Sequence, residues 1–283
     1  MPILYLYLHS SLNKQLFFMR LLTFIAILSL LWTNLAAQEK APKKGLKLVW
    51  QDEFNQGDRP DITKWQYDLG NGQNGWGNNE LEYYSSDPSN VRIQNGHLIL
   101  EAHKVKQRDT FYYSSGKILT HHKAAWTYGR FEIRAKLPKG LGTWPAIWML
   151  GDNIVKEGWP TCGEIDIMEE VGKFPNEINW SAHSKLLNWP MGTQKTNKAM
   201  IQNADSTFHV YRLDWTKAKL EFYVDNQLYY TVFNEGKGKD YYPFVAPQFL
   251  ILNLAIGGNM AGNQIDDTQF PVKMEVDYVR VYK

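Results

Sequence analysis

The chain has a single cysteine, Cys162, so it has no intrachain disulfide framework and no cysteine-rich metal site. It also has little excess charge. There are 31 basic and 29 acidic side chains, and two of the basic ones, Lys14 and Arg20, sit in residues 1–37, where there is no acid. Without those two the remainder holds 29 of each sign. A neutral body lacks the clustered positive surface that nonspecific nucleic-acid binding needs. A helical period is missing too: from Leu46 onward no long stretch repeats every three to four residues. What is present is apolar and aromatic. Hydrophobic residues make up 44% of the 283 and aromatic ones 14%, which excludes a disordered chain and supplies a core.

The 11-residue apolar run 21–31 is too short to cross a bilayer as a helix. Met19-Arg20 precedes it and Ala36-Ala37 follows, the order of a secretory signal. The pattern predicts translation from Met19, with 1–18 an upstream extension, and cleavage near Ala37. No cysteine follows the run, so no lipid is attached there. Residues 38–45, crowded with Lys40, Lys43 and Lys44 around Pro42, read as a short linker. Residues 46–283 read as one domain, exported to the periplasm or beyond the cell.

That domain reads as short strands. In 131–137, Phe131, Ile133, Ala135 and Leu137 take one face while Glu132, Arg134 and Lys136 take the other. A period of two marks a half-buried strand. Segments 220–224 and 227–232, joined by Asp225-Asn226, predict a hairpin. Further strands are expected at 46–50, 98–102, 146–150, 164–171, 179–184, 210–215, 249–255 and 276–282. Clusters of Gly, Pro, Asn and Asp separate them. Many strands without intervening helices favour an all-β jelly-roll sandwich of two antiparallel sheets.

Residues 163–172 stand apart. Glu164, Asp166, Glu169 and Glu170 put four carboxylates into a strand-like apolar run. Like charges this close repel unless water, a metal or a function holds them. Retaining glycosidases need two carboxyl groups about 5–5.5 Å apart. Four strand steps span roughly 13 Å between Cα atoms, which two inclined Glu side chains can close. The spacing from Glu164 to Glu169 is five. A β-bulge after Asp166 would bring Glu169 onto the face of Glu164 and Asp166 and turn Glu170 away. Without a bulge Glu170 is the inward acid. A structural acidic strand or a calcium-binding patch is the non-catalytic alternative.

The segment Glu164-Ile-Asp-Ile-Met-Glu169, with Gly163 before it and Val171-Gly172 after, resembles the active-site signature of glycoside hydrolase family 16 in its bulged, laminarinase-type form. Segments 50–54, 77–84, 128–138, 142–151, 208–215, 251–258 and 276–282 are similar to laminarinase segments in the same order. Together they cover the chain from Leu46 to Lys283. The resemblance implies a concave cleft and retaining endo-hydrolysis of β-1,3- or β-1,3-1,4-glucan by a monomer. It implies no cofactor for catalysis, no nucleic-acid partner and no membrane association once the signal is removed. By match to the motif, Glu164 is the nucleophile, Glu169 the acid and base, and Asp166 the residue between them.

Aromatic rings stack on the C–H faces of sugars. The resemblance favours Trp144 and Trp148 for this, with Trp189 beside them and Trp126 left to the core. It also implies sugar contacts from Glu132, Arg134, Asn253, His183 and Asn79. A structural calcium would sit at Glu53, Gly96 and Asp277, held by backbone carbonyls and one carboxylate. Cys162, with no paired base, reads as a small buried side chain. The rival readings are an agarase or carrageenase on the same fold, a transglycosylase, and a non-catalytic glucan-binding lectin. Intact Glu164, Asp166 and Glu169 argue against the lectin.

Overall fold

The computed structural model describes residues 45–107 and 110–283. The proposed signal segment and nearly all of the linker lie outside the described residues. Two sheets carry almost everything else, and Lys47–Lys283 forms one dense unit. The seven-stranded sheet runs in the order Lys195–Met200, Glu177–His183, Glu164–Glu170, Thr143–Gly151, Gln248–Ile256, Lys117–Leu119, Gln66–Tyr67. The second sheet runs Gln227–Phe233, Lys219–Val224, His209–Trp215, Gly129–Lys136, Val272–Tyr282, His97–Gln107, Thr110–Ser115, Glu82–Tyr84. Leu48–Asp52 adds to Val272–Tyr282, and Val91–Gln94 adds to His97–Gln107. All the ladders are antiparallel except that between Glu82–Tyr84 and Thr110–Ser115.

The core lies between the two sheets, where the alternating apolar residues of each meet. Phe131, Ile133 and Ala135 from one sheet and Ile147, Met149, Ile165, Ile178 and Trp180 from the other belong to the same buried cluster. The hairpin forms at Asp225-Asn226, both with positive φ (49° and 71°). Two left-handed residues give the turn whose twist matches that of its strands, and Asp and Asn tolerate that conformation best after Gly. Lys195–Met200 is an edge strand, and Lys195 and Lys198 make its open side a poor template for another chain.

Candidate active site

The face of the seven-stranded sheet turned away from the core carries a cleft of about 560 Å³. Alternation decides which side chains reach it. On Glu177–His183, Ile178, Trp180 and Ala182 go into the core, leaving Asn179, Ser181 and His183 to the cleft. On Glu164–Glu170, Glu164 and Asp166 face the cleft while Ile165 and Ile167 face the core. The alternation then breaks: Met168 is also in the core, and Glu169 lines the cleft. The ladders record the same event. Register shifts between Asp166 and Met168 against one neighbour, and between Asp166 and Glu169 against the other. This is the bulge considered from the sequence, and it sets three acids side by side.

Each acid has its own partners. Trp159 Nε1 donates to Glu164 Oε2 at 3.1 Å. Trp144 Nε1 donates to Glu169 Oε1 at 3.0 Å. His183 Nε2 lies 3.6 Å from Glu164 Oε1 and 3.4 Å from Asp166 Oδ2. Burial pushes all three carboxyls up, each to about 8. The charge of Asp166 adds to the rise at Glu164 and at Glu169. Trp159 and His183 oppose it at Glu164, and Trp144 and His183 oppose it at Glu169. Groups coupled this closely titrate as a set, so near neutrality the set holds fewer than three negative charges.

Glu170 turns the other way and is 2% exposed. Its Oε1 accepts from Asn176 N at 2.5 Å, while Oε2 has no partner among the described residues. Burial raises its pKa from 4.5 to about 7, against the pull of the Asn176 bond. Between those values the unfolded chain gives up the proton and the folded chain keeps it. Stability therefore falls as pH rises through that window, and the loss is complete above it. Glu170→Gln removes the penalty and keeps an acceptor for Asn176 N. We expect a gain of about 2–3 kcal/mol above the window and almost none below it, with hydrolysis unchanged. Thermal melts at both pH extremes check this; identical gains at the two would contradict it.

The other predicted positions divide. Trp144 and Trp189 line the cleft, Trp144 nearly buried and Trp189 51% exposed. Trp148 and Asn253 form a relay instead. Trp148 Nε1 donates to Asn253 Oδ1 at 2.7 Å, and Asn253 Nδ2 donates to Tyr84 OH at 2.9 Å. Asn253 is thus a satisfied buried amide that fixes an indole, and Trp148 stands opposite Asp166 in the ladder, on the same face of the sheet. Asn79 is exposed and donates to Asn259 Oδ1 at 2.8 Å, while Asn78 and Asn259 are the ones lining the cleft.

Glu132 and Arg134 require a correction. Their strand, Gly129–Lys136, belongs to the other sheet, between His209–Trp215 and Val272–Tyr282. Its apolar residues fill the core, so its charged residues point away from the cleft. Arg134 pairs with Asp277 at 2.6 Å, and Glu132 lies 3.7 Å from Arg130. The alternation was correctly seen, but alternation does not say which sheet a strand joins.

Trp159 escaped the sequence reading, as did the cleft-lining Ser181, Asn179 and Thr196. Trp159 sits five residues before Glu164, where the acidic strand begins, in a loop without periodicity. Ser181 and Asn179 share the parity of His183, which is the signal that marks them. Cys162 is 1% exposed, and burial pushes its thiol up to about 11, which suits a packing role.

Comparison with known proteins gives the family. The profile of glycosyl hydrolases family 16 matches residues 78–280. The chain belongs to this family. It is 44% identical over 254 residues to a beta-glucanase of Rhodothermus marinus, covering 87% of each chain. The solved laminarinase structure from that organism superposes with a TM-score of 0.80 at 44% identity, over 84% of this chain and 97% of that one. A glucan endo-1,3-beta-glucosidase A1 of Niallia circulans is 38% identical over 261 residues, 84% of this chain but 38% of that longer protein. The family 16 jelly roll is thus the fold observed, and the chain is a glycosidase whose family chemistry needs no cofactor.

Proposed function

We propose that this family 16 enzyme is an exported endo-glucanase that hydrolyses β-1,3-glucan, or β-1,3-1,4-glucan, with retention of configuration. The observation that carries the reading is the bulge, which seats Glu164 and Glu169 on one side of a cleft rimmed by Trp144, Trp159 and Trp189. The names of two similar proteins, beta-glucanase and laminarinase, support the substrate class.

In the first step the Glu164 carboxylate attacks the anomeric carbon. The glycosidic bond breaks, and Glu169 gives its proton to the departing oxygen. The product is a glycosyl ester of Glu164. In the second step Glu169, now a carboxylate, takes a proton from water. That water attacks the same carbon and frees Glu164. Two inversions give retention. Burial and the charge of Asp166 hold the proton on Glu169 before the first step. Esterification then removes the charge of Glu164, which lowers the pKa of Glu169 and makes it the base. Trp159 and His183 favour the charged form of Glu164 and aim it.

Reducing-sugar release with product sizing from laminarin, barley β-glucan, agarose and carrageenan tests the substrate. Short oligomers from laminarin are expected. Cleavage of an algal galactan alone would move the substrate, and binding without cleavage would return the lectin. Export rests on the order of basic, apolar and small residues in 1–37. N-terminal sequencing of the released protein should begin near Gln38, and an intact Met1 would overturn it.

A structural calcium at Glu53, Gly96 and Asp277 fits only in a restricted form. The Glu53 carboxylate is held by Arg280 at 2.8 and 3.0 Å. Asp277 Oδ2 is held by Arg134 at 2.6 Å, and its Oδ1 lies 3.7 Å from His97. One carboxylate oxygen is thus left to join backbone carbonyls, the oxygen donors that calcium accepts. A chelator is expected to lower the melting temperature without changing the reaction; an unchanged melt rejects the site.

A further inference from the structure

The floor of the cleft offers a second chemistry. Glu164, Asp166 and His183 each present a ligand atom, and these atoms all lie within 4.8 Å of one another. His183 Nε2 is 3.4 Å from Asp166 Oδ2 and 3.6 Å from Glu164 Oε1. Two donors bound at about 2.1 Å to one tetrahedral zinc ion stand roughly 3.4 Å apart. The two edges that meet at His183 therefore have the length that zinc requires, and the edge between the two carboxylates, within 4.8 Å, closes by rotation of the Glu164 side chain.

Asp166 marks the site independently. The residue is 3% exposed and lines the cleft, yet its Oδ2 accepts no hydrogen bond among the described residues. His183, 7% exposed, also has its Nδ1 without a partner. No carbonyl or carboxylate on that side fixes the tautomer, so the ring can turn an Nε2 lone pair toward the two acids. One imidazole and two carboxylates suit a borderline ion, whereas calcium and magnesium take oxygen alone. The open cleft leaves a fourth position to water. No other three His, Cys, Asp or Glu side chains among the described residues bring ligand atoms together in this way.

We propose that Glu164, Asp166 and His183 form a site for a divalent transition metal of the zinc type, and that filling it stops hydrolysis. The ion takes the oxygen lone pair with which Glu164 would attack and occupies the space of the reacting sugar. The inhibition rests on the reading of Glu164 as nucleophile; the binding does not.

The test is a titration of the intact protein with Zn²⁺ against a chromophoric chelator. Circular dichroism and a melt accompany every variant. One ion per chain is expected, with hydrolysis of laminarin falling as zinc rises, KM increasing at constant kcat, and activity returning on dialysis. Losing a direct ligand costs at least the factor of about ten seen when supporting residues are lost. His183→Gln and Asp166→Asn should therefore each weaken zinc binding by about tenfold or more. His121→Ala, outside the cleft, should leave it unchanged. Glu169→Gln keeps all three donors, so it should bind zinc and release it to a laminarin oligomer. No zinc binding by the wild type, undiminished binding by the folded His183 and Asp166 variants, or simultaneous binding of zinc and oligomer would each overturn the proposal. Binding that the variants lose, with hydrolysis indifferent to zinc, would keep the site and overturn the assignment of Glu164.

Discussion

Glu164→Gln and Glu169→Gln are each expected to lower glucan hydrolysis by about 10²–10⁴-fold or more, the range that a positioned acid, base or nucleophile commands. Both amides are nearly isosteric with the acids and can still accept from Trp159 and Trp144. Folding and binding should therefore survive, and the loss should fall on kcat. Shortening the side chains separates the two roles. In Glu164→Ala, azide can enter from the nucleophile's side and displace an activated leaving group once, giving an α-glycosyl azide. In Glu169→Ala the ester still forms from such a substrate, and azide then opens it to the β-glycosyl azide. The two products are distinguished by their coupling constants. The same anomer from both variants, or near-normal activity of either Gln variant on laminarin, would contradict the assignment.

Asp166→Asn should shift the pH profile as well as depress it. In the wild type the charge of Asp166 raises the pKa of both Glu164 and Glu169. An amide removes that charge, so both values fall. The acid limb, where Glu164 must ionise, moves to lower pH. The basic limb, where Glu169 must stay protonated, moves the same way. At neutral pH the variant has lost part of the acid form of Glu169 while more of its Glu164 is ionised, so the effect is read as a displacement of the optimum to lower pH. A profile lowered in height but unmoved on the pH axis would show that Asp166 acts only by packing.

Local features of the fold were legible because they depend on neighbours in the chain. The hairpin at Asp225-Asn226 and the alternation of Phe131, Ile133 and Ala135 need only a few adjacent residues. Short strands such as Gln66–Tyr67 and Lys117–Leu119 were not legible, because two or three residues carry no period. Sheet membership was lost for a different reason. Gly129–Lys136 pairs with His209–Trp215 and Val272–Tyr282, far along the chain, and nothing local specifies that choice. Glu132 and Arg134 were placed in the cleft on that account.

The site shows the same division. The unusual density of acids in 164–170 pointed to the chemistry, and the five-residue spacing raised the question of a bulge. The residues alone could not decide between Glu169 and Glu170. The structure decides it by burying Met168 beside Ile167 and committing Glu170 to Asn176. Trp159 had no signal at all. Its loop becomes part of the site only when the chain returns it to Glu164.

The most direct test of the double displacement is proton NMR of the first products released from laminarin, recorded before the anomers equilibrate. A bulge that seats Glu164 and Glu169 together for retention predicts that the β-anomer appears first and the α-anomer only as the sugar mutarotates. Appearance of the α-anomer first would mean inversion, and would remove Glu164 from the role of nucleophile.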